Sequence, residues 1–288
     1  MDVRSIPMHF ECDGSNMYGI LSLPPAQARR AVVVIVGGPQ YRVGSHRQFL
    51  LLSRFLASSG VPTLRFDHRG TGDSDGETTF EEMGPDIRAA IDALLAEHAE
   101  IEEIVIWGLC DAASAAMMYA PTDSRVRGLV LLNPWVSDNR SLARAQLKQA
   151  VVSDFVNFEK WKRLLVGKIK VTIALGSFTE LLVEAIRGSG ASEQERDSSL
   201  RRSEELSYQD RMLHGLSVFD GQVLLVLSGN DITAKEFDSL SSSNSSWRDC
   251  LGRPSVTIKR LPDSTHTFSR RVWRDQVAHW TLEWQRQW

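Results

Sequence analysis

Cysteine is scarce in this 288-residue chain: Cys12, Cys110 and Cys250 lie far apart and show no C-x-x-C spacing. That argues against a disulfide framework or a zinc site, and it suits a reducing cytoplasm. An excess of positive charge is missing too. Lys and Arg number 33 against 36 Asp and Glu, a formal net charge of −3, so no basic surplus exists to neutralise phosphates and nucleic acid is not expected as a partner. No apolar run approaches the ~18 residues that suggest a membrane span. The start, Met1-Asp2-Val3-Arg4-Ser5, lacks the basic stretch followed by an apolar one that marks an export signal. Internal repeats and calcium- or phosphate-binding loops are absent, and neither a metal nor a cofactor is implied. The expectation is a cytoplasmic protein without a transmembrane segment. Its oligomeric state leaves no mark in the sequence.

What is present reads as alternating strands and helices. With 42% hydrophobic residues, the chain can bury one large core and carry an insertion. Residues 6–24 alternate, break at Asp13-Gly14 and end at Pro24-Pro25, which predicts an antiparallel hairpin at a sheet edge. The uniformly apolar run at 31–36 predicts a strand buried on both faces, and further strands are predicted at 61–66, 103–109, 125–132 and 222–227. Amphipathic helices are predicted at about 46–59, 83–98 and 233–241, then a serine-rich loop, a strand at about 255–261 and a C-terminal helix. In that last helix Trp273, Val277, Trp280, Trp284 and Trp288 recur at helical steps, which predicts a face packed on the sheet. The alternation stops between 136 and 218, where irregular amphipathic stretches predict a helical cap containing a polar loop at 188–199. The predicted fold is therefore α/β, a mostly parallel doubly wound sheet formed by residues 1–135 and 219–288, with a cap inserted at 136–218. Functional sites of such sheets gather beyond the carboxyl ends of the strands.

Three strand ends carry the chemistry. Glu103–Leu109 runs into Gly108-Leu109-Cys110-Asp111-Ala112 and then an alanine-rich helix. A strand, a sharp turn and a helix with a nucleophile at the apex form the nucleophile elbow of the α/β-hydrolases, usually G-x-S-x-G, which this stretch resembles. Gly108, Ala112 and Ala113 are small enough for strand and helix to pass closely. Asp231 follows the strand at 222–227 and His266 follows the last strand, so nucleophile, acid and histidine stand in α/β-hydrolase order. Asp220, Asp238 and Asp263 compete for the acid role, and an N-cap function would also satisfy Asp231. The backbone N–H of Asp111 is the first expected oxyanion donor; the second comes from Gly37-Gly38-Pro39-Gln40, where Gly38 is preferred and Gln40 is the fallback because proline has no N–H. An aspartate nucleophile at 111 would imply dehalogenase or epoxide-hydrolase chemistry, but Gly108 puts the apex at Cys110, and Ser114 lies a turn into the helix.

Asp67-His68-Arg69-Gly70-Thr71-Gly72-Asp73-Ser74 resembles the D-x-R-G-x-G-x-S loop that many α/β-hydrolases carry after the strand beside the nucleophile strand. His68 and His46 lie on loops at the site end. More specifically, Gly37–Gln48, Trp107–Ala115, Leu132-Asn-Pro-Trp135 and His266-Thr-Phe-Ser-Arg-Arg271 resemble the exosortase A system-associated hydrolases of the first type. The resemblance spans nearly the whole chain and is weakest in the cap. It implies a bacterial cytoplasmic α/β-hydrolase, encoded beside exosortase and exopolysaccharide biosynthesis genes, with cysteine as nucleophile. A thiolate paired with histidine would form a thioester with a small-molecule acyl substrate. Thioesterase, esterase and acyltransferase activities all follow from that intermediate, and a non-catalytic binding or scaffold protein on the same fold is the alternative from another class.

Overall fold

The computed structural model describes residues 3–38, 40–137 and 206–288. Eight strands form one sheet in the order β1 (Arg4–Cys12), β2 (Ser15–Leu23), β4 (Thr63–Asp67), β3 (Arg30–Ile35), β5 (Glu103–Leu109), β6 (Val126–Leu132), β7 (Gln222–Ser228) and β8 (Val256–Leu261). β1 and β2 are antiparallel, as is the β2–β4 pair; every other pairing is parallel. The hairpin turns at Asp13 and Gly14, whose φ angles of 48° and 77° suit an Asp-Gly pair.

The central strands β3, β5, β6 and β7 are buried on both faces along most of their length, which is why they read as largely apolar runs, whereas β8 at the sheet edge has no buried residue. Ala31, Val33 and Ile35 of β3 face one core cluster while Val32, Val34 and Val36 face the other, and Ile104/Ile106 against Val105/Trp107 repeats this in β5. The first cluster takes in the apolar faces of α2 (Gly84–Glu97), α3 (Asp111–Tyr119), α4 (Tyr208–Val218) and α6 (Ser245–Leu251). The second takes in α1 (Gln48–Ser58) and α7 (Arg271–Gln285). The tryptophan stripe of α7 behaves as expected: Trp284 is buried, and Trp273, Trp280 and Trp288 pack against its cluster. Gly128 makes room for it, since a Cβ there would stand 2.9 Å from the Trp288 ring.

Two sequence expectations need correction. The loop expected between 241 and 255 contains a helix. Asn244 closes α5 (Ile232–Ser243) and caps α6 by accepting from the Trp247 N–H at 3.3 Å. Trp247 then packs edge-on to Phe237 with ring centroids 5.4 Å apart. Serine content masked this helix because its stability comes from one buried aromatic rather than from periodicity. The second concerns β4, which leads into Asp67–Ser74 and was expected beside the nucleophile strand. β3 lies between β4 and β5, because the chain steps outward from β3 to β4 and returns on the other side. The strand order thus reverses between β3 and β5, the position where a doubly wound sheet opens a crevice.

The cap expected over 136–218 falls largely outside the described residues. Its last eleven, α4, pack on α3 and cluster with the unit formed by residues 1–136 and 208–288. Among the described residues, no helix is long and apolar enough to cross a membrane.

Candidate active site

β5 delivers Cys110 to the crevice, and the backbone there is under tension. Cys110 has φ 65° and ψ −127°, a left-handed conformation that a side-chain-bearing residue holds only when its surroundings enforce it. The enforcement is visible. The Cys110 N–H donates to the Leu132 carbonyl at 2.9 Å, and the Cys110 carbonyl accepts from Ala113, Ser114 and Trp135 N–H groups at 3.0, 3.3 and 3.2 Å. A Cβ on Gly108 would sit 2.7 Å from the Ala112 backbone, so only glycine lets β5 and α3 cross there. Ser114 is buried in the helix and donates to the Trp135 carbonyl at 2.7 Å, which removes it from contention as a nucleophile.

Asp231 and His266 meet at the ends of β7 and β8. His266 Nδ1 lies 2.9 Å from Asp231 Oδ2, and the same oxygen accepts from the Ala234 N–H at 3.0 Å, so Asp231 caps α5 and orients the imidazole together. Its side chain is 8% exposed against 32% for His266, which seals the acid and leaves the imidazole open. Asp238 and Asp220 are instead paired with Arg260 and Arg127. The Asp231 hydrogen bond is the largest influence on His266, followed by a hydrogen bond with Cys110; together they outweigh burial and push the imidazole up to about 10. All three sequence-predicted residues therefore come together, with the imidazole between carboxylate and sulfur.

The oxyanion region is less simple. Gly38 has φ 58°, and its N–H donates to Asp111 Oδ2 at 3.0 Å. Asp111 Oδ1 accepts from the Ala112 N–H at 2.9 Å. Gly37 has no room for a Cβ, which would run into the Asp111 carboxylate. Burial pushes the Asp111 carboxyl up, opposed by the N–H groups of Gly38, Ala112 and Asp111 itself and by the charge of His68. His68 is buried, with Nδ1 2.9 Å from the Arg69 carbonyl. Gln40, the fallback donor, uses its side-chain oxygen to accept from the Ser45 N–H at 2.9 Å, while Pro39 lies outside the described residues.

The Asp67–Ser74 loop holds the neighbouring wall. Fully buried Asp67 accepts from the Arg42 backbone at 2.6 Å and the Asp73 backbone at 3.2 Å and pairs with the Arg42 guanidinium. Arg69 is clamped on buried Asp86 at 3.0 Å and on Asp13 at 2.9 Å. The loop's charges are thus consumed internally, and its role is to fix the crevice wall.

Sequence reasoning missed Asn133 and Ser228 as site residues. Asn133 is fully buried at φ 43°, donates to Ser228 Oγ at 2.9 Å and to the His266 carbonyl at 3.0 Å, and accepts from the Ser228 N–H at 2.8 Å. Ser228 Oγ in turn donates to the Thr265 carbonyl at 3.1 Å. The ends of β6 and β7 are thereby tied to the His266 loop. The available signal was an asparagine ending a buried strand, where a polar side chain must find partners. Asn133→Ala would orphan several buried groups and is expected to destabilise the protein by about 3 kcal/mol. Denaturant unfolding checks this, and a change within ~0.5 kcal/mol would show the network to be dispensable.

A mostly parallel sheet with a strained elbow and a carboxylate-held histidine at its strand ends defines an α/β-hydrolase. The chain belongs to the family described as serine aminopeptidase, S33, whose profile matches residues 27–216. It is a hydrolase by that membership, with cysteine at the apex of the elbow. No curated protein sequence matches it. Among solved structures it is similar to the esterase Pf2001 of Pyrococcus furiosus, with TM-score 0.66 and 15% identity over 99% of this chain and 93% of that one. It is also similar to Est1E of Butyrivibrio proteoclasticus, solved with ferulic acid bound, with TM-score 0.59 and 16% identity over 96% and 98% of the two chains. A dienelactone hydrolase from Anabaena variabilis gives TM-score 0.59 and 12% identity over 100% and 99%. At these identities the likeness establishes the fold.

Proposed function

We propose that this hydrolase is a cysteine-dependent esterase or thioesterase that works through a thioester acyl-enzyme. The observation that carries the reading is His266, bonded to Asp231 on one side and to Cys110 on the other. In the reacting pair the sulfur passes its proton to the imidazole, whose basicity Asp231 raises, and the thiolate is the nucleophile. The sulfur attacks the acyl carbonyl, and negative charge develops on the carbonyl oxygen near the amides of Gly38 and Asp111. The tetrahedral species collapses, His266 gives its proton to the leaving alcohol or thiol, and the acyl group remains on Cys110. The now neutral imidazole takes a proton from water, hydroxide equivalent adds to the thioester carbonyl, and the acid is released as the sulfur leaves. Asp231 holds the tautomer throughout.

Acyl transfer is the second reading, because a thioester also exchanges with amines and thiols. The resemblance to exosortase A system-associated hydrolases supports a link to exosortase and exopolysaccharide systems and a cytoplasmic location. Intact-mass measurement during turnover of p-nitrophenyl acetate tests the proposal. One acyl group should appear on the protein, map to Cys110 and come off in neutral hydroxylamine. Turnover with an adduct on serine, or with none at any time in the reaction, would remove it.

A further inference from the structure

We propose that Asp111 is a built-in occupant of the oxyanion site, its carboxylate holding the Gly38 amide in the resting enzyme until the acyl oxygen displaces it. This rests on the acyl-enzyme reading above. Each backbone N–H offers one hydrogen, and the Gly38 hydrogen is spent on Asp111 Oδ2 at 3.0 Å while the Ala112 hydrogen is spent on Oδ1 at 2.9 Å. The carboxylate sits at the N-terminus of α3, where aligned peptide dipoles favour an anion. Gly37 is shaped to it, since any side chain there would collide with the carboxylate and with the Leu109 carbonyl.

An incoming carbonyl oxygen therefore meets a site already holding the charge it is about to develop. Two anions cannot share the single Gly38 hydrogen, so Asp111 has to rotate away from Gly38 before the tetrahedral species is stabilised. The consequence is selective. A substrate that makes other contacts can meet the cost of displacement, whereas a small activated ester reacts below the capacity of the sulfur. Asp111 is thus a specificity-determining residue as well as the brace that locates the Gly37–Gly38 turn.

Asp111→Asn separates the two roles, because the amide oxygen still accepts from Gly38 while the charge is gone; Asp111→Ala removes both. Cys110 alkylation by iodoacetate and by iodoacetamide reads the charge carried by the residue next to Cys110 in the chain without any acyl chemistry. The iodoacetate-to-iodoacetamide rate ratio should rise about tenfold in Asp111→Asn, and turnover of p-nitrophenyl acetate should rise by a similar factor. An unchanged ratio overturns the proposal, as does lower turnover in both variants with circular dichroism unaltered, which would make Asp111 a brace alone. If the ratio shifts but neither wild type nor variants ever acylate Cys110, the acyl-enzyme reading fails instead, and the carboxylate keeps its place on the Gly38 amide.

Discussion

Cys110→Ala should give a folded protein whose acyl turnover has fallen on the order of 10⁴-fold or more, since removing a nucleophile removes the covalent path itself. Folding is expected to survive because the elbow is held by backbone hydrogen bonds from Cys110 to Leu132, Ala113, Ser114 and Trp135, none of which uses the sulfur. Cys110→Ser sharpens the result. It restores shape and a nucleophilic atom, but a serine hydroxyl needs a base to take its proton. Cys110 is the second influence holding His266 up and Asp231 the first, so the imidazole stays raised in the serine variant. An imidazole that Asp231 holds raised is less available as a base, so Cys110→Ser is expected to be slower near pH 7 and to gain as pH rises. Steady-state rates with p-nitrophenyl acetate, alongside circular dichroism, decide the matter. Undiminished turnover in Cys110→Ala would show that the chemistry lies elsewhere.

Much of this arrangement was legible in the sequence, for a physical reason. Parallel strands sealed on both faces must be apolar throughout, so β3, β5, β6 and β7 announced themselves, and a doubly wound sheet sends every strand end to one side. Cys110, Asp231 and His266 could therefore be brought together from more than half a chain apart without any contact being known. Order within the sheet was a different matter. That β3 separates β4 from β5 depends on which side the chain returns to, and no local pattern encodes it. Side-chain bonds between loops were equally hidden. Asn133 on Ser228 and His266, and Asp111 on Gly38, exist only once separate strand ends are side by side. The same asparagine or aspartate in an isolated loop would read as an ordinary turn residue. The segment read as a helical cap, 136–218, lies mostly outside the described residues.

Asp231→Asn should shift the whole pH behaviour of the enzyme, because Asp231 is the largest upward influence on His266. Asparagine keeps an oxygen for the Ala234 N–H, so the cap of α5 survives and the change is confined to charge. In the wild type the imidazole titrates at about 10, so kcat/KM carried by the imidazolium form holds through neutral pH and falls only as pH passes that value. Without the carboxylate the imidazole drops toward the ordinary ~6.5, and the alkaline fall moves down with it. Neutral-pH turnover should decline on the order of 10²- to 10⁴-fold, since orientation of the ring is lost together with its charge. Stability follows with a definite sign. A histidine raised in the folded state contributes stability that is fully present below its unfolded value of ~6.5 and is lost as pH rises through the folded value. The denaturation midpoint of Asp231→Asn should therefore lie furthest below wild type at pH 6 and converge on it above pH 10. Parallel pH profiles for the two proteins, in rate and in unfolding alike, would mean that Asp231 does not govern His266, and the proton path through the imidazole would have to be abandoned.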